Sequence, residues 1–114
     1  MLAFVEGQIT GGVLQGLATV LYEDMRFDDH GRLLNPNFTD YKIPTSLDTP
    51  AQVIPIIVEV PQPDGPFGAR GVGEHTMIPA APMVANAVAD ATGLRITSMP
   101  ITAEKVAMAL LEPA

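Results

Sequence analysis

The sequence predicts an α+β chain in which three helices pack with a few short strands. Apolar residues recur at three- and four-residue helical spacing in three segments, and β-branched residues cluster in two others. Glycine- and proline-rich connections separate these segments. The 114 residues are enough for one small domain, and no repeat or linker divides them. Residues 1–114 are therefore expected to form one unit.

The first helix is expected over residues 9–25. Gly11, Gly12 and Gly16 weaken it, since each costs about 0.5–1 kcal/mol relative to alanine. Three glycines within two turns indicate close packing, either by a neighbouring sheet or by a ligand, and the sequence leaves both open. The predicted apolar face consists of Ile9, Val13, Leu14, Leu17, Ala18, Leu21 and Met25.

The middle of the chain is expected to be mostly irregular. The run Asp28-Asp29-His30-Gly31 has turn chemistry, and His30 is interpreted as a solvated loop residue because no partner ligands accompany it. Residues 38–50 are expected to be extended, since prolines restrict the residues before them. Residues 52–60 are predicted to form a strand, and Pro55 places that strand at an edge or a bulge.

Two further helices and one strand are predicted in the C-terminal part. A helix over residues 81–92 has Pro82 in its first turn and Gly93 as its stop. A short strand is expected over residues 95–99, and a last helix over residues 103–111. The buried positions expected in the two helices are Met83, Val84, Ala87, Val88 and Ala91, then Val106, Ala109 and Leu110, with Thr102 as the N-cap of the last helix.

Composition indicates a piece of a larger body. Hydrophobic residues make up 47% of the chain and charged residues only 17%, below the usual quarter. We therefore expect part of the apolar surface to pack against other protein. The net charge of −7 and six scattered basic residues argue against nucleic-acid binding. Without cysteine, the chain offers no disulfide, zinc–thiolate or iron–sulfur ligand. No secretory signal or membrane span of ~20 residues is recognisable, and a cytoplasmic location is expected.

The candidate catalytic feature is the run Gly68-Ala69-Arg70-Gly71-Val72-Gly73-Glu74. Glycines allow a ligand to approach the main chain closely, and a carboxylate at the tip of such a loop is well placed to act as a general base. The alternative is a plain turn beside an acid, since short motifs produce many false positives.

Six blocks of sequence, in this order and spacing, resemble one known family. They are residues 5–12, 15–17, 21–23, 35–45, 71–74 and 86–93, including Val5-Glu6-Gly7-Gln8, Asn35-Pro36-Asn37-Phe38 and Gly71-Val72-Gly73-Glu74. The chain resembles the C-terminal part of the large, molybdopterin-binding subunit of the xanthine dehydrogenase and aldehyde oxidase family, the molybdenum hydroxylases.

The resemblance implies both an activity and site residues. Such enzymes oxidise an aldehyde or an N-heterocycle with water as the oxygen source, at a molybdenum–molybdopterin cofactor. The family's glutamate in Val-Gly-Glu, here Glu74, takes the proton from the attacking oxygen. The family's Gly-Gln, here ending in Gln8, contacts the pterin or its phosphate, and the backbone amides of Gly73 and Glu74 are expected to face the metal site. No residue is expected to ligate the metal directly, and His75 either touches the substrate or fills the loop.

The resemblance covers only a minor portion of the family's subunit. The other cofactor contacts and the substrate-orienting residues belong to the rest of that subunit, and iron–sulfur clusters and FAD belong to other domains or subunits. The isolated chain is therefore expected to be inactive. A truncated gene and a small piece of a split subunit both remain open. The alternatives are a small non-catalytic α+β interaction module, in which Glu74 is only a loop acid, and a nonfunctional gene fragment.

Overall fold

The computed structural model describes residues 2–111 and contains three helices in that range. Helix α1 spans Leu2–Leu21, α2 spans Ala80–Thr92 and α3 spans Ala103–Leu111. Two 3₁₀ turns lie between α1 and α2, at Pro66–Gly68 and Glu74–Thr76. The ends of the predicted unit, residue 1 and residues 112–114, lie outside the described range.

The three predicted helices are present, but the α+β prediction is not confirmed. Within residues 2–111 no strand forms, and the β-pairing there consists of an isolated bridge between Phe27 and Leu33. The predicted strands at 52–60 and 95–99 are irregular. Exposure does alternate with period two between Val53 and Val58, as in an extended chain. A strand also needs a backbone that pairs with it, and within residues 2–111 no segment forms β-pairing with this one.

Helix α1 begins seven residues earlier and ends four residues earlier than predicted. At its end the N–H groups of Tyr22 and Glu23 both donate to the carbonyl of Ala18, at 3.0 and 2.9 Å. Beyond that point the buried Asn35 accepts from the Arg26 N–H at 3.0 Å and donates to the Asp24 carbonyl at 2.6 Å. A side chain from outside the helix therefore satisfies the backbone groups that continued helix would have paired.

This early end moves Met25 off the predicted apolar face. Met25 is 56% exposed and lies outside α1, whereas Ala18 and Val20 are buried. The helical spacing of apolar residues continues through Met25, but the hydrogen bonds of Asn35 to Asp24 and Arg26 stabilise a non-helical backbone there.

Helix α2 has the predicted stop but a different buried face. Gly93 adopts the left-handed conformation, with φ 76°, and its N–H donates to the Ala89 carbonyl at 2.8 Å. Ala80 is fully buried, whereas Met83 is 52% exposed. Three residues predicted to be inward are exposed, namely Met83, Ala87 and Ala91, because α2 meets α1 through Ala80.

Helix α3 has the predicted N-cap. The Lys105 N–H donates to the Thr102 hydroxyl oxygen at 3.2 Å. The preceding residue, Ile101, is buried and donates its N–H to the carbonyl of Val20 at 2.6 Å, which ties α3 to the end of α1. Leu110, predicted to be inward, is 58% exposed.

The hydrophobic core is small for the length of the chain. Among the described residues it consists of Ala18, Val20, Ala80 and Ile101. The radius of gyration is 17.8 Å, against about 13 Å for a compact domain of this length. The accessible surface is 8822 Å², against about 6000 Å² for a folded monomer of this mass. The chain therefore has the shape of a segment that other protein covers. Within residues 2–111, no helix is both long and apolar enough to cross a membrane.

Candidate functional site

The candidate base lies on a short turn that reaches into open space. Glu74 is the first residue of the turn Glu74–Thr76 and is exposed, and the N–H of Met77 donates to its carbonyl at 3.0 Å. A Cβ built on Gly71 or Gly73 would meet nothing within 4 Å. Among residues 2–111, the space on the Cβ side of Gly71 and Gly73 is therefore free, which leaves room for a ligand to approach this stretch of main chain.

The structure places Gln8 beside this turn, although the two are far apart in sequence. The hydroxyl of Thr76 lies 2.9 Å from the carbonyl oxygen of Gly73 and 3.2 Å from that of Gln8. Its single hydrogen can be donated to either acceptor. The Thr76 side chain thus bridges the residue that precedes the candidate base and the residue expected to contact the pterin.

Two glycines of helix α1 leave room for the close approach of the turn and of helix α2. A Cβ on Gly12 would overlap the Thr76 hydroxyl and lie 2.8 Å from the Thr76 Cβ. A Cβ on Gly16 would overlap the Ala80 Cβ and lie 3.0 Å from the Met77 carbonyl oxygen. A Cβ on Gly11 would meet nothing within 4 Å. The close neighbours of Gly12 and Gly16 are therefore the protein's own turn and α2, not a sheet.

His75 turns back onto the loop and also borders a groove. Its Nδ1 accepts a long hydrogen bond, 3.4 Å, from the N–H of Gly73. The groove has a volume of about 690 Å³, and Glu59, Phe67 and Arg70 are among its other lining residues. Glu74 is not part of this lining. His75 is thus placed both to stabilise the loop and to contact a molecule in the groove.

The acids and histidines of the described residues are dispersed. Within residues 2–111, no group of three or more His, Asp or Glu side chains is arranged to hold a metal ion. His30 is exposed in the turn that follows α1, and its N–H donates to Asp28 Oδ1 at 2.9 Å.

Two polar contacts in the middle of the chain alter side-chain acidity. The hydroxyl of Tyr41 donates to Glu23 Oε2 at 2.7 Å, and this bond raises the pKa of Tyr41 above its usual value. The N–H and hydroxyl of Thr45 both donate to Asp48 Oδ2 at 2.8 Å and lower the pKa of that carboxyl. These contacts organise the irregular segment and lie outside the turn that carries Glu74.

Local sequence patterns did not predict the hydrogen bonds of Thr76 or Asn35. The partners of Thr76 include a carbonyl 68 positions away, and those of Asn35 lie 9 and 11 positions away. Helical and strand periodicities report only on neighbours within a few residues. The glycine spacing in α1 was the one available signal, since it indicated that some group approaches closely there.

Residues 2–50 match the family model of the molybdopterin cofactor-binding domain. A putative xanthine dehydrogenase molybdenum-binding subunit of Escherichia coli K12 is 39% identical over 89% of this chain and 13% of its own length. Aldehyde oxidoreductase of Megalodesulfovibrio gigas is 42% identical over 92% of this chain and 11% of its own length. The chain thus spans about an eighth of the length of these relatives.

A solved structure has the same fold over nearly the whole chain. Quinoline 2-oxidoreductase from Pseudomonas putida 86 superposes with a TM-score of 0.87 and 37% identity, over 96% of this chain and 14% of that one. The fold and the sequence together define a segment of a molybdopterin-binding subunit. The chain belongs to the molybdenum hydroxylases of the xanthine dehydrogenase and aldehyde oxidase family, within the large subunit.

Proposed function

We propose that this chain is the base-bearing segment of a molybdenum hydroxylase, in which Glu74 is the proton acceptor and Gln8 and Gly73 form part of the molybdopterin site. The observation that carries the proposal is the bridge made by Thr76. It joins the turn of Glu74 to the backbone of helix α1 at Gln8, so the two elements that carry these residues are in contact.

The residues present fit the chemistry of a pterin. Gln8 is exposed, and within residues 2–111 its side chain makes no hydrogen bond. Its amide can donate and accept, which suits the mixed donor and acceptor edge of a pterin. The open main chain at Gly71 and Gly73 allows a flat ligand to come close. Gln8 would therefore hold part of the cofactor, and the free space beside Gly73 would let the cofactor approach the loop.

Glu74 has the chemistry and exposure of a general base. Molybdenum–molybdopterin, when bound, supplies a Lewis-acidic redox centre that lowers the pKa of water and takes up electrons from the substrate. The Glu74 carboxylate accepts the proton from the attacking oxygen, which requires an approach of about 2.6–3.2 Å. The turn limits the positions of the carboxylate, because hydrogen bonds hold the backbone of the turn at the Gly73 carbonyl and at the Met77 N–H.

The names of several relatives support a substrate class and a set of partners for this chain. The names of the relatives include xanthine dehydrogenase, quinoline 2-oxidoreductase and aldehyde oxidoreductase, which supports an N-heterocycle or an aldehyde as substrate. The remaining parts of the large subunit would complete the cofactor site. Iron–sulfur and FAD-bearing subunits would carry the electrons onward, since this chain has no cysteine with which to hold a cluster.

The test is Glu74→Gln in the complete assembly that contains this chain. The substitution keeps the size and hydrogen-bonding shape of the side chain but removes the base, so kcat should fall about 10²- to 10⁴-fold. Molybdenum content per assembly should remain at the wild-type level. Glu104→Gln is the matched control, because Glu104 is an exposed acid in the first turn of α3, and it should leave kcat unchanged.

Full turnover by Glu74→Gln with its cofactor loaded would refute the proposed role of Glu74. Loss of turnover together with loss of molybdenum would instead assign Glu74 to cofactor retention, which contradicts its assignment as the base.

A further inference from the structure

We propose that Thr76 is a positioning residue for Glu74: its hydroxyl fixes the turn that carries the base against helix α1. The inference rests on the proposed function, because a positioning role requires that Glu74 is the base.

The first support is the pair of acceptors that the hydroxyl reaches. One is the carbonyl of Gly73, the residue immediately before Glu74, at 2.9 Å. The other is the carbonyl of Gln8 in α1, at 3.2 Å. Gly73 is the N-terminal flank of the turn, and its carbonyl also accepts the N–H of Thr76 at 3.3 Å. The Thr76 hydroxyl therefore connects α1 to the backbone that determines the direction of the Glu74 side chain.

The second support is the space that α1 leaves for this side chain. Gly12 lies one helical turn beyond Gln8 on the same face, and any side chain there would collide with Thr76. The neighbouring Gly11 has open space around its Cβ position. The glycine that faces Thr76 is thus the one whose missing side chain allows the contact.

The third support is the lack of other interactions, among the described residues, that would hold the Glu74 side chain in place. Its side chain is exposed, and within residues 2–111 it makes neither a hydrogen bond nor a salt bridge. Among the described residues, the backbone of the three-residue turn therefore sets the direction of the Glu74 side chain. Displacement of a reacting group by about 1 Å can cost about 10²-fold in rate. Loss of the Thr76 bond should act on the rate through this displacement.

The experiment compares Thr76→Val and Thr76→Ser in the complete, cofactor-loaded assembly. Valine keeps the shape and removes the hydroxyl, so kcat per bound molybdenum should fall about 10- to 100-fold with little change in KM. Serine keeps the hydroxyl and should restore most of the lost activity. Thr19→Val is the matched control: it removes a hydroxyl that donates to the Gln15 carbonyl within α1, at 3.1 Å, and should leave kcat unchanged.

Two further readouts separate positioning from a general structural role. In a Glu74→Gln background, Thr76→Val should lower kcat no further, because the residue acts through the base that is already absent. Hydrogen exchange should be faster in Thr76→Val at the amides of Thr76 and Met77, which bond to Gly73 and Glu74 in the wild type, and this measurement needs no turnover. Gly12→Ala, which pushes Thr76 away from α1, should reduce kcat per bound molybdenum as Thr76→Val does.

Several results would overturn the inference. Wild-type kcat in Thr76→Val or Gly12→Ala would do so, as would a Thr76→Ser variant as impaired as Thr76→Val. Additive losses in the double variant would show a structural role only. If Glu74→Gln loses turnover while Thr76→Val keeps it, the positioning role of Thr76 is refuted and the proposed function of Glu74 stands. If Glu74→Gln keeps full turnover, both the proposed function of Glu74 and the positioning role of Thr76 are refuted.

Discussion

At the scale of single residues, a few polar side chains hold segments that are distant in the chain. Thr76 joins the turn of Glu74 to α1, and Asn35 closes the connection after α1 through two backbone groups. A buried amide that lost these bonds would leave polar atoms unpaired, at a cost of about 1–3 kcal/mol. The contact between the turn of Glu74 and α1 therefore depends on Thr76, whose role no local periodicity indicates.

At this scale we predict that Gln8→Ala weakens cofactor retention. In the proposed function the lost amide would form up to two hydrogen bonds to the pterin or its phosphate, each contributing about 0.5–1.5 kcal/mol, so affinity should fall about 10-fold. The measurement is molybdenum per assembly after prolonged dialysis. Gln15→Ala is the control, since Gln15 is also exposed on α1 but is not expected to contact the cofactor. Equal metal content in the two variants would count against the role of Gln8.

At the scale of elements, the helices were predictable and their contacts were not. Helical spacing, Thr102 and Gly93 predicted α2 and α3 closely, because capping is encoded within a few residues. The end of α1 is set by Asn35, and the packed face of α2 is set by Gly16 on α1. Both depend on residues outside the element concerned.

The corresponding prediction compares two glycines of α1. Gly16→Ala should lower the free energy of unfolding by about 1–3 kcal/mol, because the new methyl group would overlap Ala80 and press on Met77. Gly11→Ala, with free space around its Cβ position, should be neutral or stabilising by up to about 1 kcal/mol. Thermal unfolding of the complete assembly measures both. A Gly16→Ala variant as stable as Gly11→Ala would contradict the observed packing of α2 on α1.

At the scale of the whole molecule, the chain is more extended than its length allows for an independent domain. Large apolar side chains with more than half of their surface exposed include Ile54, Ile56 and Val58 in the irregular segment and Phe67 in the loop. Such exposure is typical of a surface that other protein covers. The relatives, about eight times longer, contain the additional chain that could do so.

We therefore predict that the isolated chain does not unfold cooperatively. It should bind a hydrophobic dye, show a broad denaturant transition and aggregate as concentration rises. The measurements are dye fluorescence, circular dichroism during denaturation and light scattering. The complete assembly is the control and should unfold without prior dye binding. A monomer with a single sharp transition would instead support the non-catalytic interaction module.

The two strand predictions show why local patterns were insufficient. Residues 52–60 have the composition and the alternating exposure of a strand, yet within the described chain they have no neighbouring strand. A β-ladder forms only when the backbone of a second strand lies alongside. The pattern predicted the extended local geometry, whereas a pairing strand is not present among residues 2–111.

The amino-acid sequence specified the presence of the three helices, the caps Gly93 and Thr102, the family and the candidate base Glu74, because periodicity, capping and short motifs depend on neighbouring residues. The three-dimensional arrangement specified which helix faces are buried, where α1 ends and which residues surround Glu74. The turn of Glu74 contacts α1 at Gln8 because the missing side chain of Gly12 lets Thr76 reach the helix. Such contacts join residues far apart in the chain, and they form only when the elements pack.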